Sequence, residues 1–235
     1  MATSNFNRLA YAYRWMEYAS FGPYLGHCRR AQLTYLGAAR RALVLGDGDG
    51  RFLKRLLASN PLLTADVVDS SRSMLRVLDR RIRRMGEPFR RRIRLHHADA
   101  LGWNASGPYD LVISHFFLDC FFTSQLDRLF DRLLPHLVPG ARWVISEFSI
   151  PSRPSTSYLS ARIPPWLARS VIGLLYRSFG LLTGLRVRKL PDHAASLRRR
   201  GFTLDRETHF LGGLLHSQLW LVSAPTLIPD ERCVP

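Results

Sequence analysis

The stretch RALVLGDGDGRFL, residues 41–53, decides how the whole chain is read. RALVL has the length and apolarity of a strand buried on both faces. Gly46, Gly48 and Gly50 follow at alternate positions with Asp47 and Asp49 between them, and Phe52, Leu53, Leu56 and Leu57 then recur at helical spacing. Glycine at a strand-to-helix turn lets the backbone take up φ angles that other residues avoid and approach a ligand closely. A tight structural turn uses the same glycines, so the turn by itself does not decide between the two roles.

Downstream, LLTADVVD predicts a second strand, and residues 72–85 predict a helix with Met74, Leu75, Leu78 and Ile82 on one stripe. RIRLHHAD and YDLVISHFF read as the third and fourth strands. A helix over 123–134 carries Leu126, Leu129, Phe130 and Leu133, and ARWVISEF follows the turn VPG as the fifth strand. Strands separated by helices of this length predict βαβ crossovers and a parallel sheet. After Phe148 the rhythm breaks into the Ser/Pro loop SIPSRPSTSY and an apolar, arginine-dotted segment over 159–183. A helix over 192–200 and the strands FTLDRETHF and LLHSQLWLVS are expected to close the sheet as an antiparallel pair. The expectation is an α/β protein: a Rossmann-like, mostly parallel seven-stranded sheet with helices on both faces and an antiparallel last strand. One domain spans 1–235, divided into an N-terminal helical cover (1–40), a core (41–150), an insertion (151–190) and a C-terminal sheet closure (191–235).

The formal net charge is +16, and because Lys54 and Lys189 are the only lysines it is almost all arginine. A basic surface favours polyanions non-specifically, but an arginine bias also follows from genomic base composition. The run DRRIRRMGEPFRRRIR (79–94) is read as a solvated face, with a polyanion contact as the competing reading. Cys28, Cys120 and Cys233 are scattered and lack metal-ligand spacing, so neither a disulfide framework nor a metal site is expected. The N-terminus lacks the plan of a signal peptide, and no apolar run is long enough to span a membrane. A cytoplasmic protein is expected. Trp166 and leucines among Arg162, Arg169 and Arg177 leave peripheral contact with the inner face of a membrane as a second reading.

Asp69 ends the second strand, where a carboxylate takes hydrogen bonds from both hydroxyls of a ribose. Asp99 ends the third, within reach of an adenine amino group. Each acid alone fits a helix cap or turn; with the glycines they make a constellation at successive strand ends that suits an adenosine ligand. A dinucleotide site wants G-x-G-x-x-G around a pyrophosphate. Here the pattern is G-x-G-x-G with acids between, and acids repel phosphate. They suit a ligand with positive charge, such as the ammonium and sulfonium groups of S-adenosylmethionine.

At this point the chain resembles the class I S-adenosylmethionine-dependent methyltransferases. RALVLGDGDGRFL is similar to their first motif, VVDSSRSML to the second, HHADAL to the third and YDLVISHFFLD to the fourth. LLPHLVPGARWVISEFS is similar to the helix–turn–strand that follows. The resemblance implies S-adenosylmethionine as cofactor. It implies contacts from Gly46, Asp47, Gly48, Asp49 and Gly50, from Asp69, Ser70 and Met74, from Asp99 and Ala100, and from Ser114. The acid that usually closes the first strand is replaced by Val44, which leaves Asp47 or Asp49 to meet the methionine amino group. NFNRLAYAYRWMEYASFG, SEFSIP and LPDHAASLRRRGF…GGLLHSQ resemble the ubiquinone/menaquinone biosynthesis C-methyltransferases, although FFLDCFF replaces their Gly-Arg-Asn signature after strand four.

Methyl transfer is an in-line displacement, for which proximity and orientation supply several kcal/mol. A phenol or activated ring carbon also needs a base. His115 and Asp119, spaced i, i+4, are the candidate base and orienter; the competing reading makes them a strand cap and a helix start. His209 and His216 read as structural. The phenylalanines of HFFLDCFF argue for a small hydrophobic acceptor, quinone-like or phenolic, rather than a specific nucleic acid. The acceptor pocket is expected beneath the N-terminal aromatics (Phe6, Tyr11, Tyr13, Trp15, Tyr18, Phe21) and the insertion (Trp166, Leu174, Tyr176, Phe179). Two alternatives stand: an RNA or protein methyltransferase suggested by the charge, and a non-catalytic binding protein suggested by Val44.

Overall fold

The computed structural model describes residues 22–149 and 191–222. Helix α1 (Tyr24–Arg30) precedes β1 (Arg41–Leu45), α2 (Arg51–Ser59), β2 (Thr64–Asp69), α3 (Arg72–Arg83) and the single-turn α4 (Glu87–Arg90). Then come β3 (Ile93–His97), β4 (Tyr109–His115), α5 (Thr123–Leu133) and β5 (Leu137–Phe148). Helix α6 (His193–Arg198), β6 (Phe202–Phe210) and β7 (Leu215–Val222) complete the described chain. The aromatics at 6–21 and the insertion at 151–190, with its arginines, lie outside the described residues.

All seven strands form one sheet in the order β3-β2-β1-β4-β5-β7-β6. β1 to β5 run parallel, and β7 enters antiparallel between β5 and β6. The Rossmann-like architecture with an antiparallel closure is thus the one the sequence leads to expect.

Strand β1 shows why both faces are covered. Ala42 and Val44 pack on one side with Phe52, Leu53, Leu56 and Leu57 of α2 and Leu75, Leu78 and Ile82 of α3. Leu43 and Leu45 pack on the other with Leu126, Leu129, Phe130 and Leu133 of α5, Leu197 of α6 and the indoles Trp143 and Trp220. Each large side chain so buried contributes about 1.5–3 kcal/mol. Polar side chains are buried among these apolar ones. Asp66 of β2, 3% exposed, accepts from Tyr109 Oη at 3.0 Å and lies 2.9 Å from His96 and 3.3 Å from Arg41. Burial alone would raise its pKa, but these bonds hold the carboxyl below its usual range.

Strand β5 begins earlier than its apolar run. Leu137 already pairs with Tyr109, so the VPG turn becomes an irregularity inside the strand rather than its boundary. Helix α4 was not expected; Pro88 in its first turn pre-sets φ after Gly86.

The parallel strands bring the loops after β1, β2, β3 and β4 to one edge. The strand order reverses between β1 and β4, which opens a crevice there. Gly50, at φ +75°, joins this edge to α3: a Cβ on it would stand 2.6 Å from Leu78 Cγ. Gly50→Ala is expected to destabilise the protein by about 2 kcal/mol or more through left-handed strain and overpacking. Urea unfolding with an unchanged m value is the check.

Candidate functional site

The three glycines after β1 do three different things. Gly46 N donates to Val68 O at 3.0 Å, tying the turn to β2, and the Phe117 ring occupies the place where a Cβ would stand. Gly50 admits Leu78. Only Gly48, at φ +60°, opens outward, with nothing within 4 Å of a Cβ position.

The two acids of the turn also separate. Asp49 is committed to guanidinium groups: Oδ1 lies 2.9 Å from Arg51 Nε and Oδ2 2.8 Å from Arg81 Nη2. Arg81 Nε also donates to Asp49 O at 2.7 Å. Of the two turn acids, Asp49 is the one with both oxygens engaged by arginine. Asp47 spends one oxygen on the Leu53 N–H at 3.2 Å, at the start of α2. Burial pushes its carboxyl up to about 7, opposed by that bond and by the charge of Arg29. Val44, beneath the turn, is fully buried in the core.

At the end of β2, Asp69 Oδ1 accepts from Ser71 N at 2.7 Å, and the carboxylate is also bonded by the Gly48 N–H. The open glycine and the strand-end acid are thereby joined. Burial raises Asp69 to about 6. Ser70 offers its carbonyl to His97 Nε2 at 3.1 Å, and Met74, nearly buried, has its N–H capped by Ser71 Oγ at 3.3 Å. Asp99 is exposed and accepts from Leu101 N at 3.0 Å, an Asx turn beyond β3. Ala100 packs in the α5-side core.

Two expectations about β4 are corrected. Ser114 is fully buried and accepts from Trp143 Nε1 at 3.0 Å, so it faces the α5-side core instead of the crevice. His115 and Asp119 are not paired. The i, i+4 argument needs a helical turn, but His115 ends a strand and Phe116 turns the chain at φ +52°. His115 Nδ1 lies 2.9 Å from Ser146 Oγ, with its ring edge-on to Phe52. Its Nε2 is buried without a partner, and burial, then Arg29, hold the ring neutral well below the usual histidine range.

Asp119 belongs instead with Cys120, whose Sγ lies 3.6 Å from Asp119 Oδ1, and with Glu147 of β5. Glu147 escaped the sequence reading; its only signal is an acid ending the apolar run WVISEF. It is 2% exposed, and Oε1 accepts from Phe117 N at 3.0 Å and Leu118 N at 2.8 Å. Its Oε2 is buried without a partner. Burial, then the charge of Asp119, push its carboxyl well above the usual range. The Cys120 thiol is raised by burial and then by Asp119, Glu147 and Asp69, which shows how these acids converge on one hollow. A net-positive protein thus carries a cluster of largely buried acids between the ends of β2 and β5. A cation in it relieves the cost of burying those charges.

A polar cluster lies on the closing strands. Glu207 Oε1 takes the Gln218 Nε2 amide at 2.7 Å and faces His216 Nδ1 at 3.3 Å, and its Oε2 faces His209 Nε2 at 3.4 Å. Gln218 Oε1 accepts from Trp220 Nε1 at 2.9 Å and from His193 Nε2 at 3.0 Å. Among the described residues no group of three or more His, Cys, Asp or Glu is arranged to hold a metal, and no helix is long and apolar enough to cross a membrane.

Residues 43–143 match a family model described as a methyltransferase domain. No curated protein matches the chain. Among solved structures, a possible exported protein from Bordetella parapertussis is 24% identical over 86% of this chain and 68% of its own, at a TM-score of 0.64. Mitomycin 7-O-methyltransferase is 16% identical over 92% of this chain, at 0.65; this chain covers 60% of that enzyme's length. The N-methyltransferase NodS from Bradyrhizobium japonicum, in complex with S-adenosyl-L-homocysteine, is 15% identical over 85% of this chain and 88% of its own, at 0.58. The fold is that of the class I methyltransferases, and the matched domain together with the S-adenosyl-L-homocysteine complex of that neighbour supports S-adenosylmethionine as the cofactor.

Burial pushes His193 down to about 4, opposed by its bond to Gln218. Between that value and the 6.5 of an unfolded histidine, the unfolded chain binds more protons than the folded one. Stability is therefore lost as pH falls through this window, by about 3 kcal/mol at 1.36 kcal/mol per unit. In denaturant titrations at pH 7 and pH 4.5, wild type should lose more stability on acidification than His193→Gln.

Proposed function

We propose that this protein is an S-adenosylmethionine-dependent methyltransferase acting on a small, largely apolar acceptor. The observation that carries the reading is the joining of open Gly48 to the Asp69 carboxylate at the mouth of an acidic crevice. On this reading Asp69 takes the ribose hydroxyls and Asp47 takes the ammonium group. Asp99 lies where an adenine amino group would reach. When bound, the cofactor supplies a methyl group on a positively charged sulfur. The residues contribute position and field: the carboxylates of Asp47 and Asp69 favour that charge, and its loss on transfer weakens the hold on the product.

The acceptor side is aromatic. Phe116 packs with Phe148 at 5.2 Å between ring centroids, and Phe117 with Phe121 at 5.0 Å. Such walls suit an apolar ring system, phenolic or quinone-like, and exclude water from the reacting pair. A non-catalytic binding protein is the second reading, favoured by the fully buried Val44 in place of the usual acid.

Calorimetry with S-adenosylmethionine separates the two: measurable binding supports the first, and the absence of heat or thermal shift supports the second. Asp69→Asn should weaken binding about tenfold or more, since one charged hydrogen-bonding group is worth roughly 1.5–3 kcal/mol. Asp47, raised to about 7, must be ionised to hold an ammonium group, so affinity should rise with pH from 6 to 8 and level off above. Asp47→Asn should weaken binding and flatten that rise.

A further inference from the structure

Two buried polar atoms on β5 and β7 lack partners: Glu147 Oε2 and His216 Nε2. Glu147 and His216 are directly paired across the two strands, and His216 is paired in turn with His209 of β6. Paired residues project from the same face, with Cβ atoms about 5 Å apart. The site lies two strands from β4, at roughly 4.8 Å per strand, along the edge where the exit loop of β4 bounds the crevice. Glu147 itself holds that loop through Phe117 and Leu118, which links the two regions.

Glu207 faces one ring nitrogen of His216. The three polar groups facing Glu207 hold its carboxyl well below the usual range, so it is an acceptor only. With Glu207 Oε1 accepting 3.3 Å from Nδ1, the Nδ1–H form of His216 turns the lone pair of Nε2 away from Glu207. The ring sits edge-on to His193 at 5.6 Å between centroids and 6.4 Å from the ring of His209. Neither satisfies Nε2. On the neighbouring strand, burial and Asp119 keep the proton on Glu147, which makes it a donor. A hydroxyl donates once and accepts twice, and so complements both atoms.

We propose that His216 is the general base for a hydroxyl-bearing acceptor, with Glu207 as its positioning residue and Glu147 donating to the same oxygen. This rests on the methyltransferase reading and narrows its acceptor to an alcohol or phenol. The hydroxyl oxygen bonds to the methyl carbon as the carbon–sulfur bond breaks, and that electron pair stays on sulfur. The hydroxyl proton passes to His216 Nε2. The imidazolium so formed is held by Glu207 and returns its proton to solvent.

The test uses 4-nitrophenol, whose phenolate is coloured, on the full chain saturated with S-adenosyl-L-homocysteine, with saturation first established by calorimetry. At a pH where the free phenol is mostly un-ionised, the bound probe should be at least tenfold more ionised. His216→Gln should abolish that ionisation while S-adenosyl-L-homocysteine binding is kept. Glu207→Gln, a near-isosteric change, should still bind the probe but move the ionisation midpoint to higher pH, which a purely structural role would not do. Equal ionisation in wild type and His216→Gln overturns the proposal. So does failure of the loaded protein to bind the probe. Failure to bind S-adenosyl-L-homocysteine itself overturns the methyltransferase reading beneath it.

Discussion

The carboxylate of Glu147 holds two backbone N–H groups, those of Phe117 and Leu118, at the point where β4 gives way to its exit loop. That grip sets where the loop turns, and so where its side chains go. Phe117 lands on Gly46, which has no Cβ to oppose it, while Asp119 and Cys120 turn toward the acidic hollow. Phe116 pays for the bend with a left-handed φ that a bulky residue rarely adopts. A buried acid bonded to backbone amides is costly to desolvate and strongly directional. Without it the loop has no fixed course, and the crevice no fixed wall.

The charge distribution carries the same division. Arginine dominates the composition, yet the acids at the carboxyl ends of the strands are not uniformly neutralised. Asp49 is, by Arg51 and Arg81, and it stiffens the glycine turn against α3. Asp47, Asp69 and Glu147 are raised because burial outweighs their partners. Where they are ionised, such acids favour a cationic over a neutral ligand. The net basic charge therefore says little about what this site binds.

On the proposed reading, the sheet also separates two kinds of work along one edge. β1 to β3 present glycine backbone and carboxylates suited to a nucleoside. β4, β5 and β7 present phenylalanines, a buried acid and a histidine dyad suited to a second reactant. The antiparallel insertion of β7 makes this possible, because it brings the start of that strand beside the end of β5. A parallel last strand would place His216 at the opposite edge.

The fold was legible because it rests on repeated local patterns. RALVL, LLTADVVD and YDLVISHFF read as buried strands, and the stripes of α2, α3 and α5 have helical period, so βαβ order follows from the sequence. The positions of Gly48 and Asp69 were legible for a similar reason: they sit at strand ends wherever such strands form. The rest depended on contacts between residues far apart in sequence. Nothing local shows that Asp49 is claimed by Arg81, that Ser114 turns to Trp143, or that His115 bonds Ser146 instead of Asp119. Glu147 and His216 come together only through the register of an antiparallel pair, 69 positions apart in number between 147 and 216. By itself the sequence determined the periodicity, and hence the sheet, its helices and the glycine turn. Tertiary structure decided which face each polar side chain takes and which partner it meets, because pairing register and burial are set by the whole sheet and not by neighbouring residues.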